Sequence, residues 1–341
     1  MRLSAIGDVC HTIPVVRTLQ YYWPKTKITW IIGKAEASLV GDIAGIEFII
    51  FNKSDGLSAY SKLRKTLKGR KFDLLLHLQE SLRSSIATLL IKAKYKLGFN
   101  RQDAQDYQWL FCNKEIDYIP RQHYMERLLQ FTEKLELTPP EICWDIPISS
   151  EDENYVTSLL PDNKPFIVIS PCSSVVKNNW RNWTIDGYAE IADLALSKYG
   201  LQVVFTGGPS EQEKLFGENI QSNMKTAATN LIGKLSLKQL LATIKKSAAV
   251  ISPDSGPAHM ATTVNVPAIS LFTTSNPNFT GPYYSKDWIV NKYPEALKKY
   301  NNTNVKQAPW GQRVRNPDAV ELISAADIDQ KLAALMNLQQ A

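Results

Sequence analysis

Short runs of β-branched and aromatic residues alternate with longer helix-patterned segments along this chain, in two separate series. Such alternation admits βα units wound around mainly parallel sheets, and little else. In the first series the spacing predicts strands at 27–33, 46–52, 72–79 and 94–100, with helices at 11–22, 56–69, 81–93 and 123–137. In the second it predicts strands at 166–171, 201–207, 249–253 and 268–272, with helices at 184–199, from Ser210, and at 236–246. The stretch 139–164 separates them, opening on Pro139-Pro140 and carrying Ser150-Glu151-Asp152-Glu153 and Pro161-Asp162-Asn163; it reads as a connection holding one short helix. The 341 residues, at about 150 per domain, agree with two doubly wound α/β domains. Their expected bounds are 1–158 and 159–318. A tail at 319–341, with Val320, Ile323, Ile328, Leu332 and Leu335 at helical spacing, is expected to pack back across both.

The opening of the chain departs from this pattern. Only Met1-Arg2-Leu3 precedes the loop-like Ser4-Ala5-Ile6-Gly7-Asp8, so the first strand of the first domain is expected to be missing or very short. A sheet lacking its central strand would leave backbone groups unpaired in its middle.

Composition narrows the function. With 44% hydrophobic residues the chain can bury two cores, which excludes disorder. Residues 1–150 hold 21 basic and 16 acidic side chains, a balance of +5 out of +6 for the whole chain. An excess this small does not make a duplex-binding footprint, and no nucleic-acid partner is expected; it suits a face that meets an anionic small molecule or membrane surface, or simple solubility. Cys10, Cys112, Cys143 and Cys172 have no CxxC spacing, so neither a structural zinc nor a disulfide framework is expected, and reduced cytoplasm is the natural compartment. The basic run Lys62, Arg64, Lys65, Lys68, Arg70, Lys71, opposite Leu57, Leu63 and Leu67, reads as an amphipathic helix with a solvated face or, more sharply, as a peripheral contact with an anionic inner-membrane surface.

GxxxxGK[ST], GxGxxG, HExxH and GxSxG are all absent, which removes the main support for a P-loop NTPase, a standard dinucleotide dehydrogenase, a zincin and an α/β-hydrolase. Several strand ends nevertheless carry polar turns, and the carboxyl edge of an open α/β sheet is where ligands bind. Asp8 stands at such an edge, as a general base for an acceptor hydroxyl or, more plainly, as a helix N-cap. The Ser252-Pro253-Asp254-Ser255-Gly256-Pro257-Ala258-His259 turn opens a helix whose free N–H groups suit a phosphate, or is an ordinary capped turn. Ser170-Pro171-Cys172-Ser173-Ser174, followed by Lys177 and Arg181, would make a pyrophosphate clamp. In Gly207-Gly208-Pro209-Ser210-Glu211 the Glu211 carboxylate is placed to accept the hydroxyls of a ribose. Three phosphate-friendly turns in one half and a lone carboxylate with basic residues in the other describe a cleft with nucleotide on one wall and acceptor on the other.

The ordered set Arg2-Leu3-Ser4-Ala5-Ile6-Gly7-Asp8-Val9-Cys10-His11-Thr12-Ile13-Pro14, Pro171-Cys172-Ser173-Ser174 with Arg181-Asn182-Trp183, Thr206-Gly207-Gly208-Pro209, Asp254 to His259, Val266-Pro267-Ala268 and Thr280-Gly281-Pro282-Tyr283 resembles the lipopolysaccharide heptosyltransferases of glycosyltransferase family nine. With Gln108-Trp109-Leu110-Phe111 it looks most like the heptosyltransferase I branch, which acts on a phosphorylated inner-core sugar. The resemblance implies a GT-B fold, two Rossmann-like domains facing a central cleft, in a monomeric enzyme. It implies inverting, metal-independent transfer of L-glycero-D-manno-heptose from ADP-heptose to Kdo on lipid A, with no cofactor. Asp8 then matches the catalytic base. Arg181 falls where many members carry a Lys that neutralises the diphosphate, and Ser173 and Ser174 match hydroxyls near the same phosphates. Gly207 and Glu211 fall in the ribose-binding turn, Leu235 falls where backbone meets adenine, and Asp254, Ser255, Gly256 and His259 match the donor-binding helix start. Arg83, Arg121 and His123 look like acceptor-side residues. The alternatives left open are a GT-B transferase or epimerase that uses another nucleotide sugar, and a non-catalytic binding protein derived from one.

Overall fold

The computed structural model describes residues 1–160, 164–173 and 179–340, and the chain divides into two units, Met1–Pro147 and Ile148–Ala341. The first unit contains β1 (Ile28–Gly33), β2 (Ile46–Phe51), β3 (Phe72–Leu76), β4 (Ala93–Gly98) and β5 (Lys114–Glu115). Its helices are α1 (Ile6–Tyr22), α2 (Lys34–Val40), α3 (Leu57–Thr66), α4 (Leu82–Thr88) and α5 (Tyr124–Glu133). β1 pairs with β2 in one parallel ladder, and β3, β4 and β5 form another.

Residues 1–3 join the two ladders. On one side the Arg2 amide donates to the Ile31 carbonyl at 3.2 Å and the Gly33 amide to Leu3 at 2.9 Å; on the other the Leu78 amide donates to the Met1 carbonyl at 3.0 Å. The side chains of Met1 and Leu3 are buried with Ile31, Ile49 and Leu75. Counting this extended segment as the first strand gives the neighbour order 3-2-1-4-5-6 of a doubly wound nucleotide-binding sheet.

Helix α1 starts at Ile6, earlier than the predicted residue 11, because Asp8 in its first turn accepts the Ala5 amide at 3.1 Å. It also runs through Pro14. A proline there has no N–H for the Cys10 carbonyl, one turn back, and that acceptor is served instead by the indole N–H of Trp144 at 2.8 Å. Helix α4 is shorter than the predicted 81–93: after Thr88 the amides of Leu89, Leu90 and Ile91 bond three residues back rather than four, which tightens and ends it.

The second unit contains β6 (Phe166–Ile169), β7 (Gln202–Phe205), β8 (Thr229–Asn230), β9 (Ala249–Pro253), β10 (Ala268–Phe272) and β11 (Val290–Asn291), paired in the order β11-β10-β9-β6-β7-β8. In chain order this is again 3-2-1-4-5-6. Its helices are α6 (Ser150–Leu159), α7 (Ile185–Tyr199), α8 (Glu211–Asn223), α9 (Leu237–Lys246), α10 (Gly256–Thr263), α11 (Pro277–Thr280), α12 (Tyr293–Asn301) and α13 (Ala325–Gln340). The strands β6, β9 and β10 are buried along their whole length, as parallel strands covered on both faces must be. α6, the helix in the connection, packs on α9, where Lys245 Nζ meets Glu153 Oε1 at 3.0 Å. The division therefore falls before this helix, at 147/148, and not after it at 158/159. The tail splits into a 3₁₀ turn at Pro317–Leu322 and α13, which packs on α7 through Ile328, Leu332 and Leu335 and receives Lys198 and Tyr199 on Asp329.

One buried group makes the first unit acid-sensitive. His77, fully buried just after β3, faces Ser84 Oγ at 3.3 Å and Cys112 Sγ at 3.7 Å. Burial, together with the positive charges of the Met1 amine, Lys96 and Arg2, lowers its pKa to about 3. The folded state keeps the ring neutral while the unfolded chain takes up a proton below about 6.5, so this contribution is full above pH 6.5 and is lost as pH falls toward 3, by up to about 1.4 kcal/mol per pH unit. Glu80, raised by its own burial, works in the opposite direction at the acid end. The expected result is a melting temperature that drops between pH 6.5 and 4 in the native chain and drops less in His77→Gln; parallel curves for the two would show that His77 is not the cause.

Candidate active site

In the second unit the polar turns gather at the carboxyl ends of β6 and β9, the two central strands between which the strand order reverses, and of β7 beside them. Ser170 and Thr206, at the ends of β6 and β7, share a hydroxyl–hydroxyl bond of 2.5 Å. Ser173 is held by two asparagines: its amide and Oγ donate to Asn182 Oδ1 at 2.8 and 3.0 Å, and Asn179 Nδ2 donates to its Oγ at 2.6 Å. Ser174 and Lys177 lie outside the described residues. Arg181 reaches the turn after β9, where Nη1 donates to the Asp254 carbonyl at 2.9 Å and lies 3.9 Å from its carboxylate. Burial draws the guanidinium below its ordinary pKa and Asp254 opposes this; an arginine remains a cation at neutral pH.

Asp254 is itself fixed, its Oδ2 accepting from Ser275 Oγ at 2.7 Å. Next comes Ser255, the residue before α10, whose buried Oγ has no partner among the described residues. Gly256 begins α10 and His259 is buried one turn in. A polar oxygen left without a partner among the described residues beside the first amides of a helix, with a guanidinium attached to the same turn, is a site shaped for an anion.

The glycine turn after β7 is arranged differently from the sequence expectation. Glu213, not Glu211, faces the pair Gly207-Gly208: the Gly208 amide donates to its Oε2 at 2.6 Å and Ser210 Oγ to its Oε1 at 3.1 Å. A Cβ on Gly208 would stand 2.7 Å from that carboxylate, so a larger residue there would push the Glu213 side chain aside. Glu211 is paired with Lys214 and its side chain is 87% exposed. Leu235 is half-buried just ahead of the α9 cap Ser236, in a turn tied to Gly207 by the Gly233 amide at 3.1 Å, with Gly233 at a φ of 75°.

In the first unit the structure gives Asp8 the capping role. Its Oδ2 caps Ala5 and forms an ion pair with Arg2 Nη2, while Oδ1 makes no bond to any described residue; the side chain is 36% exposed. Arg2 is buried, and its Nη1 also donates to the Leu78 carbonyl at 2.6 Å and to the hydroxyl of Tyr124. Arg83 lies on the exposed face of α4 and lines a pocket of about 420 Å³ with Lys34, Lys53, Ser4 and Gln79, beside the turn that Asp8 caps. Arg121 and His123 stand in the turn that leads into α5, Arg121 exposed with a positive φ of 58°, and His123 buried as the helix cap, with Nδ1 accepting the Met125 amide at 3.2 Å.

Sequence reasoning passed over Arg2, Glu213, Asn179, Asn182, Lys34 and Lys53. Only Glu213 had a readable signal: Ser210-Glu211-Gln212-Glu213 has capping-box spacing, which turns the third residue after the serine, and not the first, back toward the preceding turn.

Comparison with known proteins follows the same lines. Residues 60–309 match the profile of glycosyltransferase family 9 (heptosyltransferase). The chain is 37% identical over 328 residues to the lipopolysaccharide core heptosyltransferase OpsX of Haemophilus influenzae, covering 96% of this chain and 93% of that protein. Among solved structures, the glycosyltransferase of family 9 from Veillonella parvula superposes with a TM-score of 0.78 at 22% identity, covering 98% of this chain and 95% of the other. The Escherichia coli heptosyltransferase WaaC with ADP gives 0.71 at 18% identity, covering 98% and 100%. The fold is the GT-B fold of these proteins.

Proposed function

Since the chain belongs to glycosyltransferase family 9 and is a glycosyltransferase, we propose that it transfers L-glycero-D-manno-heptose from ADP-heptose to Kdo of a lipid A inner core, with inversion and without a metal. One observation carries the donor side: Arg181 bonded to the Asp254 carbonyl, next to the unpartnered Ser255 Oγ at the start of α10. A diphosphate supplies the charge and acceptor oxygens that this arrangement lacks. The relation to a lipopolysaccharide core heptosyltransferase supports the choice of sugar and acceptor.

In this reading Asp8 Oδ1 removes the proton from the acceptor hydroxyl, whose oxygen attacks the anomeric carbon opposite the departing ADP. The bond from that carbon to the phosphate oxygen breaks and its electron pair leaves with ADP. Arg181, Ser173 and the amides at the start of α10 take up the charge that develops there. Glu213, beside the glycine pair, is the carboxylate we assign to the ribose. Lys34, Lys53 and Arg83 give the acceptor pocket a cationic lining, suited to the carboxylate of Kdo and a phosphate on it.

Mass-spectrometric detection of heptose added to Kdo-lipid A tests this reading. Transfer from ADP-heptose that persists in a chelator is expected; transfer only from another nucleotide sugar, or only with added cation, would overturn the donor or the metal-free part.

No described helix is long and apolar enough to cross a membrane. Peripheral docking on an anionic lipid surface extends the same proposal. It is supported by the exposed Lys62, Arg64 and Lys65 of α3 and the exposed Leu82 and Ile86 of α4, two helices joined by Tyr60 hydroxyl on the Arg83 carbonyl at 3.2 Å. Co-sedimentation with anionic vesicles that fails in high salt is the expected result; equal recovery with zwitterionic vesicles would refute the electrostatic part.

A further inference from the structure

We propose that Arg2 is a positioning residue for the transfer reaction, a buried guanidinium that locks the Asp8 carboxylate so that one defined oxygen, Oδ1, meets the acceptor hydroxyl. The inference rests on the reading of Asp8 as the base.

The argument starts from the geometry of the fork. Arg2 lies in the extended segment between the two ladders, its backbone bonded to Ile31 and its carbonyl to the Trp30 indole at 3.1 Å. The side chain turns inward and is 4% exposed. Nη1 is held by the Leu78 carbonyl beyond β3 and by the Tyr124 hydroxyl on α5, whose ring lies 5.5 Å from the guanidinium carbon. With one arm of a planar group tied to two other elements, the other arm has one direction available, and it meets Asp8 Oδ2.

A carboxylate on its own rotates freely, since its terminal torsion is broad and two-fold. Here Oδ2 carries two donors, Arg2 Nη2 and the Ala5 amide, so rotation would break both, and Oδ1 carries no donor among the described residues. Stability does not explain this arrangement. A buried ion pair is seldom better than apolar side chains of the same volume. Burial penalises the cation, while Asp8 and Tyr124 outweigh that and keep it charged.

Steady-state kinetics on the full chain, with ADP-heptose and Kdo-lipid A, would compare Arg2→Met, Arg2→Lys, Tyr124→Phe and Asp8→Asn. Arg2→Met is expected to lower kcat about a hundredfold while leaving KM for ADP-heptose within about twofold, because only the reacting oxygen is misplaced. Arg2→Lys should restore kcat to within about tenfold of the native value, and Tyr124→Phe should lose several-fold in kcat alone. Native kcat in Arg2→Met beside an inactive Asp8→Asn overturns this inference and leaves the base reading standing. Turnover retained by Asp8→Asn overturns the base reading itself. Should Arg2→Met fail to fold, Tyr124→Phe decides: an unchanged kcat, or an equal change in kcat and KM, counts against positioning.

Discussion

Asp8→Asn is expected to abolish heptosyl transfer, lowering kcat by about a thousandfold or more, with ADP binding unchanged. Asparagine is the informative replacement because it keeps the shape and one oxygen of the native side chain. That oxygen can still accept from the Ala5 amide and from Arg2, so the start of α1 and the buried guanidinium both keep a partner, and a shift of only a few degrees in melting temperature should follow. What disappears is the capacity to take a proton. The measurement pairs a product assay with calorimetric titration of ADP. Turnover within tenfold of native would remove Asp8 from the chemistry and leave it as a helix cap.

Arg181→Ala should reduce kcat by about a hundred- to a thousandfold, since in the proposed mechanism the lost charge lies where negative charge grows as the nucleotide departs. ADP affinity should fall less, by roughly tenfold, because Ser173 and the start of α10 would, on the proposed reading, still hold the ground-state phosphates. Arg181→Lys should recover most of the rate, a point charge replacing a fork that also bonds the Asp254 carbonyl. Unchanged kcat in Arg181→Ala would place the leaving-group charge elsewhere. Loss of ADP binding with no change in kcat at saturation would make Arg181 a binding group only.

The strands were legible because a buried parallel strand needs an unbroken apolar run, as in Ile167, Val168 and Ile169 or Val250 and Ile251. The ends of helices were less so, because their determinants are tertiary. The predicted helix at 11–22 already ran through Pro14, but nothing near the proline announces that Trp144 will serve the carbonyl it leaves unbonded. The site divided in the same way. Asp254 and Ser255 could be read from a strand-to-helix turn, whereas Arg2 looked like one more residue of a truncated strand until its fork closed on Asp8. Glu211 and Glu213 are both acids at the start of one helix, and the cap at Ser210 chooses between them.

The indole that completes α1 also decides how much chain makes a finished first unit. A fragment cut at the Pro139-Pro140 pair, the natural place to cut by composition, would keep every strand and helix of that unit yet strip Trp144 from the notch at Pro14. The helix that carries Asp8 would then hold a carbonyl served only by solvent halfway along its length. Minimal excision of this half must run on to Pro147, through residues that belong to no regular element.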